Sequence, residues 1–105
     1  MVNLGWHPLL EETFEKMERV GEEYHADVLI ADVKEKYGVL RIDYDINGNF
    51  LRGARGKLDQ IAEDAEIKSG KVCELCGAPG KLRTERAWFK TLCDECNDKH
   101  YRRVT

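Results

Sequence analysis

The sequence predicts an α+β fold: an N-terminal helix, a short antiparallel sheet, a second helix, and then a C-terminal treble-clef or zinc-ribbon module. Three observations support this prediction. Apolar residues recur at helical spacing in two segments, β-branched and alternating residues fill the segment between them, and all four cysteines lie between residues 73 and 96. A chain of 105 residues has about the length of one domain. We therefore expect one compact unit with two parts, residues 1–70 and the four-cysteine module of residues 71–105.

The first helix is predicted over about residues 8–24. Pro8 suits the first helical position, where its missing N–H group is not needed. Leu10, Phe14, Met17 and Val20 then fall on one side of the helix, and charged residues, most of them glutamates, fall mostly on the other. The glutamate-rich side is expected to be a solvated surface; an acidic docking face is the alternative.

Strands are predicted after this helix. DVLIADVK (27–34) is rich in β-branched residues, EKYG (35–38) is typical of a turn, and VLRIDYDI (39–46) alternates apolar with charged residues. Asn47-Gly48 accepts the positive φ angles of a type I′ hairpin turn, which predicts a short third strand at about 49–53.

A second amphipathic helix is predicted C-terminal to the strands. Ala54, Leu58, Ile61 and Ala65 recur at helical spacing, and Gly70 suits the C-terminal cap. Helices that cover one face of antiparallel strands make an α+β domain.

The four cysteines form two C-x2-C pairs, Cys73 with Cys76 and Cys93 with Cys96, separated by 16 residues. Each tight turn can direct two sulfur atoms at one ion, and the interval is long enough for a hairpin that returns the second pair to the first. This spacing predicts a structural, tetrahedral zinc ion with four thiolate ligands. A redox C-x2-C pair, an iron–sulfur cluster, and a site in which His100 replaces Cys96 are the alternatives.

The residues around the cysteines predict the shape of the module. GKLRTERAWFKTL supplies two short strands, and CDECNDKHYRR reads as a helix with acidic residues at its start and basic ones near its end. A knuckle, a hairpin and a helix that carries the last two ligands form the treble clef. Some treble clefs are nucleases that use histidines, but no histidine lies between Cys76 and Cys93. We therefore expect no enzymatic activity, with a nuclease-like enzyme as the less favoured alternative.

Composition narrows the class of partner. The longest apolar run is too short to span a membrane, and the opening residues lack the features of a secretory signal, so we expect a cytoplasmic protein with no membrane partner. Residues 1–70 carry a net charge of −6 and residues 71–105 a net charge of +3. A zinc ion with four thiolates lowers the second value to about +1. Overall electrostatic attraction to nucleic acid is therefore weak. No constellation for a small-molecule substrate stands out.

The segment DYDINGNF (43–50) matches the start of a calcium-binding loop. Asp43, Asp45 and Asn47 alternate and Gly48 holds the sixth position, but the twelfth position, where a glutamate is needed, holds Ala54. An acidic hairpin is expected here, with a weak cation site as the alternative.

Three motifs together resemble a family of small, largely uncharacterised proteins of tailed phages and prophages. They are Gly5-Trp6-x-Pro8-Leu9, the Val-Lys-Glu-Lys-aromatic-Gly-x-Leu-Arg segment at 33–41, and the Cys-x2-Cys-Gly-x-Pro-Gly knuckle with its Leu-Cys-x2-Cys partner. The chain departs from the family at Val39, where a second glycine is usual. The resemblance implies a phage origin and a zinc module, and it implies no established activity.

Two functions remain open. One is a binding module that acts through protein contacts, possibly on a host or defence factor, with Trp88 or Phe89 as an exposed anchor. The other is nucleic-acid binding, in which basic residues around the zinc contact phosphates and Trp88 stacks on a base. Lys34 and Lys36, with Arg41, could form a further basic spot for a phosphate or an acidic partner. The candidate contact residues are Arg83, Arg86, Trp88, Lys90, Lys99, Arg102, Arg103, Lys34 and Lys36.

Overall fold

The computed structural model describes residues 2–84 and 89–101, and these form an α+β fold, as predicted. Its elements, in chain order, are a 3₁₀ turn (Leu4–Trp6), α1 (His7–Glu23), β1 (Asp27–Lys36), β2 (Val39–Asn47), α2 (Ala54–Ser69), β3 (Lys81–Arg83), β4 (Lys90–Leu92) and α3 (Asp94–Tyr101). In the described part of the chain, no helix combines the length and the apolar character needed to cross a bilayer.

Strands β1 and β2 form a two-stranded antiparallel ribbon. Lys36 lies opposite Val39, so only Tyr37 and Gly38 connect the strands. Both have positive φ angles, 55° and 85°, as a type I′ turn requires. The turn predicted at EKYG is confirmed. Tyrosine is an unusual choice here, because side chains with a Cβ atom rarely adopt this conformation.

The predicted third strand is wrong. In the described residues no strand follows β2 before α2, and the two-stranded sheet has no third member. Gly48 does have a positive φ of 87°, but it ends β2 instead of turning a hairpin. The Leu51 N–H donates a hydrogen bond of 2.7 Å to the Tyr24 carbonyl, so this segment returns to the end of α1. Asn-Gly marks a turn in the chain without fixing which elements the turn joins.

The main core lies between one face of the ribbon and the two long helices. Its buried apolar side chains include Leu40 and Ile42 from β2, Leu10 and Met17 from α1, and Leu58 from α2. Each fully buried side chain of this kind contributes about 1.5–3 kcal/mol to stability. The amphipathic patterns of both helices therefore predicted their buried sides correctly.

The end of α2 is fixed to the ribbon by a buried hydroxyl group. Ser69 is fully buried, and its Oγ accepts a 2.8 Å hydrogen bond from the Leu40 N–H and donates one to the Glu66 carbonyl. Gly70 occupies the C-terminal cap, as predicted, with a right-handed φ of −69°. This contact sets where the chain leaves α2 and enters the cysteine segment.

The C-terminal module has a small core of its own, formed by Cys73, Leu92 and Cys96. Strands β3 and β4 pair with Lys81 opposite Leu92, and α3 follows directly. The molecule is elongated, with principal extents of 59 × 22 × 18 Å. Burial of so few side chains supplies too little free energy to fold this module. We therefore expect a bound metal ion to supply the rest.

Candidate metal centre

The first cysteine pair lies on a tight knuckle. The Gly77 N–H donates a 2.9 Å hydrogen bond to the Cys73 carbonyl, and the Cys73 N–H donates one of 2.8 Å to the Ala78 carbonyl. Gly77 has a φ of 85°, which its lack of a Cβ atom permits. Cys73 is buried and Cys76 is exposed, so the knuckle presents one sulfur atom inward and one near the surface.

The second pair lies at the start of α3. Cys93 immediately precedes the helix, and Cys96 is on its first turn. The Cys96 N–H points at the Cys93 sulfur atom at 3.4 Å, and the Asn97 N–H donates a 3.0 Å hydrogen bond to the Cys93 carbonyl. Backbone N–H groups at a helix start stabilise negative charge, which suits a thiolate. The knuckle, the β3–β4 hairpin and α3 together form the predicted treble-clef arrangement.

The four sulfur atoms lie together. All are within 4.8 Å of one another, and the Cys76 and Cys93 sulfur atoms are 3.7 Å apart. In a regular tetrahedron with metal–sulfur distances of ~2.3 Å, neighbouring sulfur atoms are about 3.8 Å apart. The site therefore fits a tetrahedral metal ion. Among the described residues no other group of three or more histidine, cysteine or acidic side chains could hold one; the His100 side chain lies outside the description.

The electrostatics of the cluster favour a bound cation. Burial raises the pKa of Cys73, but backbone N–H groups of Cys93, Cys76 and Leu75 outweigh it and bring that pKa down to about 7. Burial and the neighbouring cysteine side chains hold the pKa of Cys96 well above its usual value. Four thiolates this close repel one another, and a dication removes that penalty.

The N-terminal turn packs directly on the knuckle. The Gly5 N–H donates a 2.8 Å hydrogen bond to the Glu74 carbonyl, and the Trp6 indole Nε1–H donates one of 2.9 Å to the Val72 carbonyl. Trp6 is fully buried, and a Cβ atom on Gly5 would lie 2.2 Å from the Cys73 carbonyl oxygen. This contact could not be predicted from the sequence. The Gly-Trp pair was visible as part of a motif, but nothing in it pointed to the cysteines.

A buried ion pair joins the knuckle to the ribbon. Glu74 is almost fully buried, and its carboxylate lies 3.7 Å from the Lys90 ammonium group, which also contacts Glu35 of β1 at 3.3 Å. Burial raises the pKa of the Glu74 carboxyl, although Lys90 opposes this. Thr91 adds a buried hydrogen bond of 2.6 Å from its hydroxyl to the Gly38 carbonyl. Glu35 at the end of β1 and Gly38 in the following turn thus attach the metal module to the ribbon.

Two of the predicted contact residues are engaged inside the protein. Arg83 is only 8% exposed, and its guanidinium group donates hydrogen bonds to the Leu92 carbonyl and to the Asp94 carboxylate at 2.7 Å. This guanidinium holds the pKa of Asp94 below its usual value. Lys90 is half-buried in the ion pair described above. Both charges therefore help to fix the module, and a contact of these two side chains with a partner stays a prediction.

The remaining predicted contacts lie at the surface or outside the described residues. Lys34 is exposed and lies 3.8 Å from Asp32, Lys36 is exposed beside the Tyr37 ring, and Lys99 is exposed. Arg41, the third member of the suggested basic spot, pairs with Glu66 at 3.3 Å. The basic spot is therefore largely neutralised by carboxylates of the chain itself. The predictions for Arg86, Trp88, Arg102 and Arg103 fall outside the described residues.

The suggested weak cation site at residues 43–50 finds no support in the described side chains. Asp43 and Asp45 lie on β2 and are exposed, and no cluster of three acidic groups forms there. A strand spaces such side chains along an open face, whereas a calcium loop curls them around one point.

Comparisons with protein families, curated proteins and solved structures found no significant match to this chain.

Proposed function

We propose that this protein is a non-enzymatic binding module whose C-terminal part is held by one structural zinc ion and which acts through contacts with another protein. The observation that carries this proposal is the closed shell of four cysteine sulfur atoms, all within 4.8 Å of one another.

Zinc is the metal that this ligand set favours. Tetrahedral sites of four cysteines are typical of structural zinc. Four thiolates leave no position for a water molecule, and their charge makes the ion a poor Lewis acid. The centre would therefore supply folding free energy, about 10–16 kcal/mol in zinc-finger peptides, instead of chemistry.

The surface best placed to bind a protein is the hairpin-tip patch, which comprises Tyr37, Leu82 and Phe89. Their exposed fractions are 70%, 40% and 40%. The Tyr37 and Phe89 ring centroids are 6.5 Å apart, and Leu82 lies over Gly38. Exposed aromatic side chains that lose little conformational entropy are typical anchors of protein interfaces.

Tyr37 supports this role through its backbone. It holds a φ of 55° at a turn position that glycine, asparagine or aspartate occupies at lower cost. Because the Tyr37 side chain is mostly solvated, its burial contributes little free energy to offset the strain of its backbone. Contact with a partner would supply the missing stabilisation.

The resemblance to phage-encoded proteins suggests the kind of partner. A protein made during infection meets host proteins in abundance, so a host factor is the partner we propose. Nucleic acid is less favoured because Arg83 and Lys90 bind within the module.

The test starts with the metal content of the purified protein. We expect one zinc ion per chain by elemental analysis. The loaded protein is then used to capture partners from a bacterial lysate, in parallel with Tyr37→Asn, which keeps the turn, and with the control Ile67→Asn on the exposed side of α2. We expect the same captured protein with the wild type and the control, and its loss with Tyr37→Asn.

Binding to single-stranded and duplex oligonucleotides at low salt is measured alongside. The proposal fails if nucleic acid binds with a steep dependence on salt. It also fails if Tyr37→Asn captures the same protein as the wild type does.

A further inference from the structure

Strand β1 has a free edge. In the described part of the chain only β2 pairs with it, and no described residue outside β2 hydrogen-bonds to its backbone. It is ten residues long, so the free edge presents a long row of unpaired N–H and C=O groups. Such an edge is a template for another strand.

The middle of β1 is apolar and solvated on both faces. Leu29 and Ile30 are 46% and 40% exposed and point to opposite faces of the ribbon. Ile30 lies opposite Tyr44 and Asp32 opposite Asp43, so Ala31 is an extra, bulged residue.

The bulge changes which side chains share a face. Val28 and Val33 lie opposite Ile46 and Ile42, so both point at the core. Without the extra residue, two positions five apart would face opposite sides. Each half of β1 therefore has one valine that points at the core, Val28 before the bulge and Val33 after it.

The exposed charges at the two ends of β1 have opposite signs. Asp27 begins the strand, and Lys34 and Lys36 end it; all three are exposed. If a second β1 runs antiparallel alongside, each Asp27 lies near a lysine of the other copy. A parallel arrangement would place aspartate beside aspartate. The two ends of the strand are thus complementary to an antiparallel copy, whereas Asp32 beside the bulge pairs with Lys34 of its own chain at 3.8 Å.

We propose that β1 is the interface of a homodimer, in which two copies join their β1 edges into one four-stranded antiparallel sheet. Pairing of the two copies would satisfy the free N–H and C=O groups along both β1 edges. The radius of gyration of 15.8 Å exceeds the roughly 13 Å of a compact domain of this length, which fits half of a larger assembly.

This proposal does not depend on the hairpin-tip patch or on the protein partner. The test is the mass of the zinc-loaded full chain by sedimentation equilibrium and light scattering, from micromolar to millimolar concentration. We expect a concentration-dependent shift from 12.1 kDa to twice that mass.

Two lysine substitutions form a matched pair. Ile30→Lys puts a charge in the middle of the edge and is expected to weaken dimerisation by roughly 100-fold or more. Ile67→Lys makes the same change at another exposed isoleucine, on α2, and should leave the dimer intact. Ile30 is 40% and Ile67 54% exposed in the monomer, and urea denaturation of both variants checks that both fold.

A charge exchange tests the antiparallel register. Asp27→Lys alone, and Lys34→Glu with Lys36→Glu, should each impair self-association because like charges then meet. Mixing the two variants restores opposite charges at both ends and should restore the dimer. The proposal is overturned if the wild type stays at 12.1 kDa at millimolar concentration, if Ile30→Lys still dimerises, or if mixing restores nothing.

Discussion

Replacing Trp6 with phenylalanine is expected to weaken the metal site although Trp6 is far from the cysteines in sequence. Its indole Nε1–H donates to the carbonyl of Val72, 66 residues later, immediately before the knuckle. Loss of this bond leaves a part-buried carbonyl unsatisfied, at a cost of about 1–3 kcal/mol. The smaller ring leaves a cavity of about 40 Å³, which costs about 1 kcal/mol more.

The expected loss of unfolding free energy is therefore about 2–4 kcal/mol, measured by urea denaturation of the zinc-loaded protein. The hydrogen bond forms only when the knuckle is in place, so its share also appears in metal affinity. We expect zinc affinity, measured by competition with a chromophoric chelator, to fall roughly 5- to 150-fold.

Met17→Ala is the control. Met17 is just as buried, about 15 Å along α1 from the first residue of the helix, and its truncation should cost a similar ~2–5 kcal/mol. Zinc affinity should then change little. If both variants lose zinc affinity equally, Trp6 acts only through general stability and the reasoning from its hydrogen bond is refuted.

Three further predictions concern single side chains. Arg83→Met should lower the free energy of unfolding by about 2–3 kcal/mol, measured by urea denaturation. Lys81→Met, at an exposed position of the same strand, should change it by less than about 0.5 kcal/mol, and equal effects of the two variants would contradict the internal role of Arg83. Gly5→Ala should prevent the N-terminal turn from docking, since its Cβ would lie 2.2 Å from a backbone oxygen, and the loss should appear as exposed tryptophan fluorescence; unchanged fluorescence would count against it. Burial and the Asp59 carboxylate raise the pKa of Tyr44 to about 12, so this group stabilises the fold below pH ~10 and its contribution is lost as pH rises through 12. Ultraviolet titration should find one tyrosine that ionises at higher pH than the others, and Asp59→Asn should lower the pKa of that tyrosine.

Local pattern was enough to predict the helices and the metal ligands. Amphipathic periodicity reports which side of a helix is buried, and it placed Leu10, Met17 and Leu58 in the core. Two C-x2-C pairs leave few arrangements other than one shared ion, so the cluster followed from spacing alone.

The number of strands was harder to predict, because the sequence signals a turn at Tyr37-Gly38 and another at Asn47-Gly48. Asn47-Gly48 is the stronger signal in sequence, yet the ribbon turns at Tyr37-Gly38. Tertiary contacts decide this, since Gly38 packs beneath Leu82 and its carbonyl accepts the Thr91 hydroxyl. Contacts of this kind join residues more than forty positions apart, and no local pattern contains them.

Charge counting leaves the roles of Arg83 and Lys90 open for a related reason. A basic residue near a metal site can face a ligand or fix a neighbouring element, and composition does not distinguish the two. Burial does: Arg83 lies beneath the start of α3 with its guanidinium group on a carbonyl and a carboxylate.

The contact between Trp6 and Val72 also constrains how the protein can be made in a cell. A ribosome adds about 5–20 residues per second, so roughly 3–13 s separate the synthesis of the indole from that of its acceptor, which lies 66 residues on. Until then the first helix lacks the segment that covers its beginning, and the nascent chain exposes a large aromatic surface to chaperones. A metal can fill the four-cysteine site only after the cysteine segment has been translated, and scarcity of that metal would leave newly made chains open to proteolysis.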